Sequence, residues 1–309
     1  MVPAPQKSSA ATVPAVLRAL LTGLIDYAGM FPPAKLSLAD AATNFIRYTR
    51  GPNAWMLGKF VVPVEQLEDL RAILTKNSEA QGLTVPLSVL LGTEPLRAGS
   101  VIQTERVRSS EKPPPFSIDA VEFRPGSPSM VAELSSILPT DLPVFCEIPY
   151  IEGLAPWLNA IRQAGWFAKI RTGGTTQESF PSSAAVAEFL TQCKIHAVAL
   201  KATAGLHHPV RSEHPLTYEA DSVCGVMHGF LNVFLGAALL ECGVTKEQLT
   251  EILDDTDAAS FRFSGGFAHW RKLFVNANDI AGTREHFAIS FGSCSFEEPI
   301  EDLKKLSLL

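Results

Sequence analysis

Eight short runs of β-branched and other apolar residues alternate along this chain with windows of helical periodicity, and that rhythm constrains the fold more than any single motif. The runs are Gly23–Met30, Trp55–Pro63, Thr84–Leu91, Ala120–Arg124, Pro143–Pro149, Trp166–Thr172, His196–Thr203 and Phe287–Phe291. Helical windows follow at Ser37–Thr49, Val64–Lys76, Glu94–Ser109, Ser127–Leu138, Glu152–Ala164, Ser182–Cys193 and Glu297–Leu306. Pro95, Pro128 and Pro299 sit near helix starts, where a backbone N–H has no partner to lose. Strand–helix alternation is the signature of a parallel α/β architecture, and eight steps in 309 residues predict a (β/α)8 TIM-type barrel. An open doubly wound sheet with a helical C-terminal domain is the alternative.

The step after the seventh run is oversized. Residues 207–284 hold far more than one helix and are expected to form an inserted helical subdomain, a lid or a dimer arm. Within them Asp221–Cys242 reads as one apolar helix, Thr245–Asp254 as an acidic amphipathic one, and Ser260–Trp270 as an aromatic, glycine-containing stretch. Residues 13–309 are expected to form a single barrel domain behind a flexible, Pro/Ala/Ser-rich tail, 1–12.

Composition excludes several classes. With 46% hydrophobic residues the chain has ample material for a core, and a net charge of −6 without a Lys/Arg run argues against nucleic-acid binding. Five scattered cysteines without a C-x-x-C fit reduced thiols, and no signal peptide is evident, so a cytoplasmic location is expected. The apolar stretch Val223–Val244 carries His228, Asn232 and Glu241, which suit a buried or oligomer-facing helix better than a membrane span; a homo-oligomer is a corresponding expectation.

Interior positions of barrel strands should be uncharged, yet several here are not. Period-2 alternation puts Glu122 with Arg124 on one face of the fourth strand and Lys169 with Arg171 on one face of the sixth. Asp26 ends the first strand, Lys59 lies in the second, Glu147 ends the fifth and Lys201 falls late in the seventh. Barrel enzymes assemble their sites at the C-terminal ends of several strands, so these charges are expected to converge there. Five cations against three carboxylates favour a small anionic partner, carboxylated or phosphorylated. Glycine-bearing loops at Arg171–Thr176, Ala204–His208 and Phe291–Ser295 add anion-binding candidates, with His207, His208, Arg211 and Ser293 as further ligand contacts.

Lys169 and Lys201 fall on neighbouring strands, and like charges at close range depress a lysine's pKa toward a nucleophilic neutral amine. That is the requirement for a Schiff base with a carbonyl substrate, with Glu147 or Glu122 moving protons. The segment Ala168-Lys169-Ile170-Arg171-Thr172-Gly173-Gly174, then Ala199-Leu200-Lys201-Ala202-Thr203-Ala204-Gly205, resembles the paired-lysine strands of the deoxyribose-phosphate aldolases. The resemblance implies lyase chemistry with Lys169 as the Schiff-base residue and Lys201 as the neighbour lowering its pKa. It departs from that family at Ile170-Arg171, at His207-His208-Pro209 and in the long insertion.

A rival constellation is His207, His208, His214 and His228, near which Glu147, Glu213 and Asp221 offer carboxylates for a metal-dependent barrel enzyme. No zinc-type spacing is present, and no metal or cofactor is expected. Cys294 ends the eighth strand near a helix start, but no base is assigned to it and it reads as a buried structural thiol. A non-catalytic anion-binding or scaffold protein is the third reading.

Overall fold

The computed structural model describes residues 13–111, 115–150 and 153–309. The tail 1–12 and Glu152, at the start of one expected helix, lie outside the described residues. Seven strands come first: β1 (Ile25–Tyr27), β2 (Leu57–Pro63), β3 (Val85–Leu90), β4 (Phe116–Phe123), β5 (Val144–Glu147), β6 (Phe167–Arg171) and β7 (Leu200–Thr203). Five short strands follow, β8 (Ser212–Pro215), β9 (Cys224–Met227), β10 (Phe261–Ser264), β11 (Phe267–Trp270) and β12 (Leu273–Asn276), before β13 (Ala288–Ser293) closes the barrel. The closed order is β1-β13-β7-β6-β5-β4-β3-β2, and its pairs are parallel. The chain is therefore a (β/α)8 TIM-type barrel, as the alternation predicts.

The helices are α1 (Ala15–Leu21) ahead of the barrel, then α2 (Leu38–Thr49), α3 (Leu67–Lys76), α4 (Pro95–Glu111), α5 (Pro128–Ser135), α6 (Ala155–Gln163) and α7 (Ser183–Ile195), one after each of the first six strands. Local chemistry sets their starts: Ser37, Ser127 and Ser182 each accept a backbone N–H three residues on, from Asp40, Met130 and Ala185. Strand alternation then divides the side chains. Phe60 of β2 stacks on Phe45 of α2 at 5.3 Å between ring centroids, which turns its neighbour Val61 toward the barrel interior.

After β7 come α8 (Phe230–Glu241), α9 (Lys246–Asp254) and α10 (Ala277–His286), and α11 (Glu297–Lys305) ends the fold. Residues Phe230–Leu240 of α8 are all buried, and Phe230 and Phe234 meet Phe291 of β13 at 5.5 and 5.8 Å, so α8 supplies the outer layer between the last two barrel strands. Its apolar surface is spent inside the chain.

The single helix expected over Asp221–Cys242 is corrected: Cys224–Met227 is a strand paired antiparallel with Ser212–Pro215, and its side chains alternate exposed and buried. Gly229 separates the two elements because the backbone doubles back on itself there. A Cβ at that position would stand 2.5 Å from Val210 Cα and 2.6 Å from the Arg211 nitrogen. Thr245 and Gln248 form a capping box at the start of α9, which matches the amphipathic helix read from sequence. The Ser260–Trp270 stretch becomes the hairpin of β10 and β11, extended by β12 into a three-stranded antiparallel sheet.

The end of this segment is locked to the foot of the barrel by Arg284 of α10. Its guanidinium donates to the carbonyls of Leu20, Thr22, Ala288 and Ile289 and lies over the ring of Phe234. Replacing it by leucine removes the shared donor of these carbonyls, and a hydrogen bond from a charged group contributes about 1.5–3 kcal/mol. Arg284→Leu is expected to lose at least that much stability in urea unfolding; an unchanged midpoint would show that the lock is dispensable.

Candidate active site at the barrel mouth

The charged residues of the barrel strands meet as a layered network. Register places Glu147, Lys169 and Lys201 side by side on β5, β6 and β7. Lys201 Nζ donates to Asp26 Oδ2 and to Glu122 Oε1, each at 2.6 Å, and lies 5.2 Å from the centre of the Phe145 ring. Lys169 Nζ pairs with Glu122 Oε2 at 2.8 Å and Glu147 Oε2 at 3.0 Å, and Arg171 Nε donates to Glu147 Oε1 at 3.1 Å. Ser88 and Ser290 donate to Glu122 and Asp26. Carboxylates and cations therefore alternate across the barrel, and every member of the network has a bonded partner.

The titration of the network follows from this order. Burial alone would push the Asp26 and Glu122 carboxyls up, but the ammonium groups around them override it and hold both below the ordinary range; Glu147 is held down in the same way by Lys169 and Arg171. Lys201 is corrected in sign: burial would lower it, yet Asp26 and Glu122 hold it above its ordinary value. Glu122 stands between the two lysines, so the mutual repulsion expected from adjacency is cancelled by a shared carboxylate.

Above the network lies a cavity of about 370 Å³ at the C-terminal mouth. Glu122, Glu147, Lys169, Arg171 and His207 line it, joined by Cys294, Thr175, Ser179 and Thr203 and by an apolar wall that includes Phe31, Val61 and Leu90. The loops after β6 and β7 press together at its edge: a Cβ on Gly173 would come within 2.8 Å of Gly205 Cα, and Thr172 Oγ1 donates to Ala204 O at 2.6 Å. These glycines serve the closeness of two loops.

Several expected contacts lie elsewhere. Arg124 falls one residue past the end of β4 and is exposed, because the strand stops at Phe123 before the alternation can carry it inward. Lys59 starts low on β2 and is half-buried, and it reaches the network through its backbone N–H, which donates to Asp26 Oδ1 at 2.7 Å. Asp26 and Lys201 are consumed below the cavity floor, both essentially without exposure. Ser293 is buried beside β1, where its carbonyl accepts from Ala28 and its hydroxyl from the Ser295 N–H, while its neighbour Cys294 faces the cavity. Arg211 belongs to the 207–284 segment, where it bonds His228 and Asn232 and pairs with Asp254 at 3.7 Å. His208 lines a small neighbouring pocket of about 40 Å³.

Among the directly paired groups Asp26, Glu122 and Glu147 stand against Lys169, Lys201 and Arg171, three against three, with Lys59 acting on Asp26 from a distance and Arg124 outside the network. The histidines do not converge either. His207 Nδ1 bonds Glu298 at 2.7 Å and His208 Nδ1 bonds Asp302 at 2.5 Å, separate carboxylates one turn apart on α11, while His208 stacks on His214 with centroids 3.3 Å apart. Among the described residues no group of three or more His, Cys, Asp or Glu side chains is arranged to hold a metal ion.

Sequence reasoning missed one constellation. Cys294 Sγ lies 3.9 Å from His207 Nε2, whose other nitrogen is bonded to Glu298, and Tyr218 Oη stands 3.8 Å from the same sulfur. The i, i+4 spacing of Cys294 and Glu298 was a visible signal. Nothing in the sequence joined it to a histidine 87 positions away.

Compared with known protein families, curated proteins and solved structures, the chain matches none, and the likeness of its β6 and β7 to aldolase strands has no family match behind it. All five cysteines are free, and among the described residues no helix is long and apolar enough to cross a membrane.

Two outcomes follow from the network. Lys201→Met strands two buried carboxylates without their shared ammonium, and is expected to cost about 3–5 kcal/mol in chemical denaturation. A change below 1 kcal/mol would show that water or a rearranged partner replaces the ion pair. Asp26, Glu122 and Glu147, being depressed, contribute stability that is complete above their ordinary values of 3.8 and 4.5 and is lost as pH falls below them. Lys201, raised from 10.5, contributes fully below that value and loses its share only on the alkaline side. Thermal unfolding should therefore show a melting temperature that falls as pH drops below these carboxylate values, and one that rises over that acid range would contradict it.

Proposed function

We propose that this protein is a barrel enzyme of the lyase or aldolase type, acting on a small carboxylated or phosphorylated carbonyl metabolite through a Schiff base on Lys169. One observation carries the reading: Lys169 is the lysine that opens on the cavity, and its amine is held between Glu122 and Glu147 with Arg171 two residues further along the same strand face. Lys201 is enclosed and supports the arrangement from below.

The chemistry follows from the partners. The amine of Lys169 adds to the substrate carbonyl carbon as Glu147, 3.0 Å away, takes its proton; Glu147 then gives that proton to the carbinolamine hydroxyl, which leaves as water, and an iminium remains. The bond between the α and β carbons then breaks, its electron pair passing into the iminium to give an enamine while Glu147 takes the β-hydroxyl proton and a carbonyl product is released; Glu147 returns that proton to the enamine carbon. Arg171 has a side chain 46% exposed, so its guanidinium reaches the cavity edge while Nε stays on Glu147, which leaves its terminal nitrogens for a carboxylate or phosphate. Arg171 completes the charge balance of the network, so what favours an anion is the pair of terminal nitrogens it leaves at the cavity edge rather than a net positive charge. The five free cysteines fit a reducing compartment such as the cytoplasm.

Borohydride reduction in the presence of phosphorylated and carboxylated aldehydes and ketones tests the reading by intact mass. A reduced adduct is expected in the native protein and absent in Lys169→Ala. In Arg171→Ala the adduct should persist but require roughly tenfold or more substrate, the loss of a charge-assisted hydrogen bond being worth about 1.5–3 kcal/mol. No adduct with any carbonyl compound would instead favour an anion-binding protein without this chemistry.

A further inference from the structure

The cavity has a second reactive wall beside the lysine chemistry, one barrel strand away. Cys294 is 6% exposed and lines the same space as Lys169, so a molecule in the cavity can reach its sulfur while bulk solvent scarcely does. Sγ faces His207 Nε2 at 3.9 Å; His207 Nδ1 meets Glu298 Oε2 at 2.7 Å; the Tyr218 hydroxyl completes the surround at 3.8 Å. Three elements build this: the turn after β13 supplies the thiol, the loop after β7 the imidazole, and the first turn of α11 the carboxylate. The Ser295 hydroxyl accepts the Glu298 N–H at 3.1 Å, which fixes that turn relative to the thiol one residue before it.

We propose that Cys294 is a second nucleophile of this cavity, with its proton held on His207 Nε2 and His207 oriented by Glu298, and that it adds reversibly to the carbonyl carbon of a small aldehyde or ketone. A thiol with an imidazole on one side and a carboxylate behind the imidazole is the arrangement that activates a nucleophile, because the base is fixed in position and its protonated form is stabilised. The step balances without an oxidant or co-reactant. The sulfur pair forms the C–S bond, the carbonyl π pair moves to oxygen, and the proton on His207 Nε2 passes to that oxygen to give a hemithioacetal; the reverse path restores thiol and carbonyl.

The electrostatics agree with the geometry. Burial would lower the His207 imidazole, but its bonds to Cys294 and Glu298 raise it to about 10. Burial opposes the ionisation of Glu298 too, and the imidazole overcomes it. The other titratable groups facing this cluster are Tyr27 from β1, Tyr218 from the loop between β8 and β9, His208 beside His207, and Glu297 on α11. Both tyrosines are raised by burial first and so stay neutral, and Tyr218 is within reach to donate to sulfur.

Site-resolved alkylation by iodoacetamide, with the exposed Cys224 as internal standard, is the test. A free thiol near pKa 8.5 speeds up on the order of 75-fold between pH 6 and pH 8. Cys294 is expected to change by less than about threefold over that range, as a thiol whose proton already rests on a neighbour should. His207→Asn and Glu298→Gln should each restore a steep profile at Cys294 and leave that of Cys224 unchanged. A steep profile in the native protein overturns the proposal. If the sulfur resists alkylation altogether, thiolate ultraviolet absorbance, native minus Cys294→Ser, decides: absorbance at neutral pH supports the pair and its absence overturns it. In Lys169→Ala, pre-incubation with the same carbonyl panel should slow alkylation of Cys294, whereas unslowed alkylation with every member removes a carbonyl carbon as the electrophile. Because the Schiff-base adduct depends on Lys169 and the alkylation does not, the two readings fail separately.

Discussion

Lys201 is the point on which the barrel interior depends. Its ammonium joins Asp26 of β1 to Glu122 of β4 from a third strand, β7, in a region with essentially no solvent. Two carboxylates buried this close to each other are stable as anions only because a cation lies between them, and the cation is stable only because both are ionised. Each additional member extends the same logic: Glu122 turns its other oxygen to Lys169, Lys169 reaches Glu147, and Glu147 holds Arg171. The chain of pairs runs from the enclosed core to the cavity edge, so the side chains offered to a ligand are fixed by ones that no ligand touches.

That anchoring gives the mouth two chemically different walls. One carries an amine between carboxylates, suited to proton transfer and to addition at a carbonyl. The other carries a thiol backed by an imidazole and a carboxylate. Both depend on loops that are themselves tied, through the close approach of Gly173 and Gly205 and through the Ser293–Ser295 turn. The small volume of the space limits its occupant to a molecule of metabolite size. The 207–284 segment contributes to this mouth at its start, through His207 and Tyr218, while α8 and α10 complete the outer layer and the foot of the barrel.

Much of the fold was legible because parallel strands buried on both faces need continuous apolar runs, and helices need caps. The windows for seven of the eight barrel strands contain or overlap their observed positions with little displacement, and the fourth starts earlier, at Phe116. Serine caps at 37, 127 and 182 mark helix starts as read. The failures share a cause. Asp221–Cys242 looked like one apolar helix because composition does not show that the backbone folds against Val210 at Gly229. Arg124 looked inward because alternation was extended one residue past the strand's end.

For the site, sequence determined which strands carry charge and that Glu122, Lys169 and Arg171 point to a common interior, since period-2 alternation fixes a side chain's face once a strand is recognised. It did not determine which charges meet. The expected lysine–lysine repulsion is offset because Glu122, 47 positions from Lys169 and 79 from Lys201, inserts its two oxygens between them. The meeting of Cys294, His207 and Glu298 likewise exists only where the loop after β7 crosses the turn after β13. Faces are a local property of the backbone and can be read along the chain, whereas pairings are set by barrel closure and strand register, which bring together residues that the sequence keeps far apart.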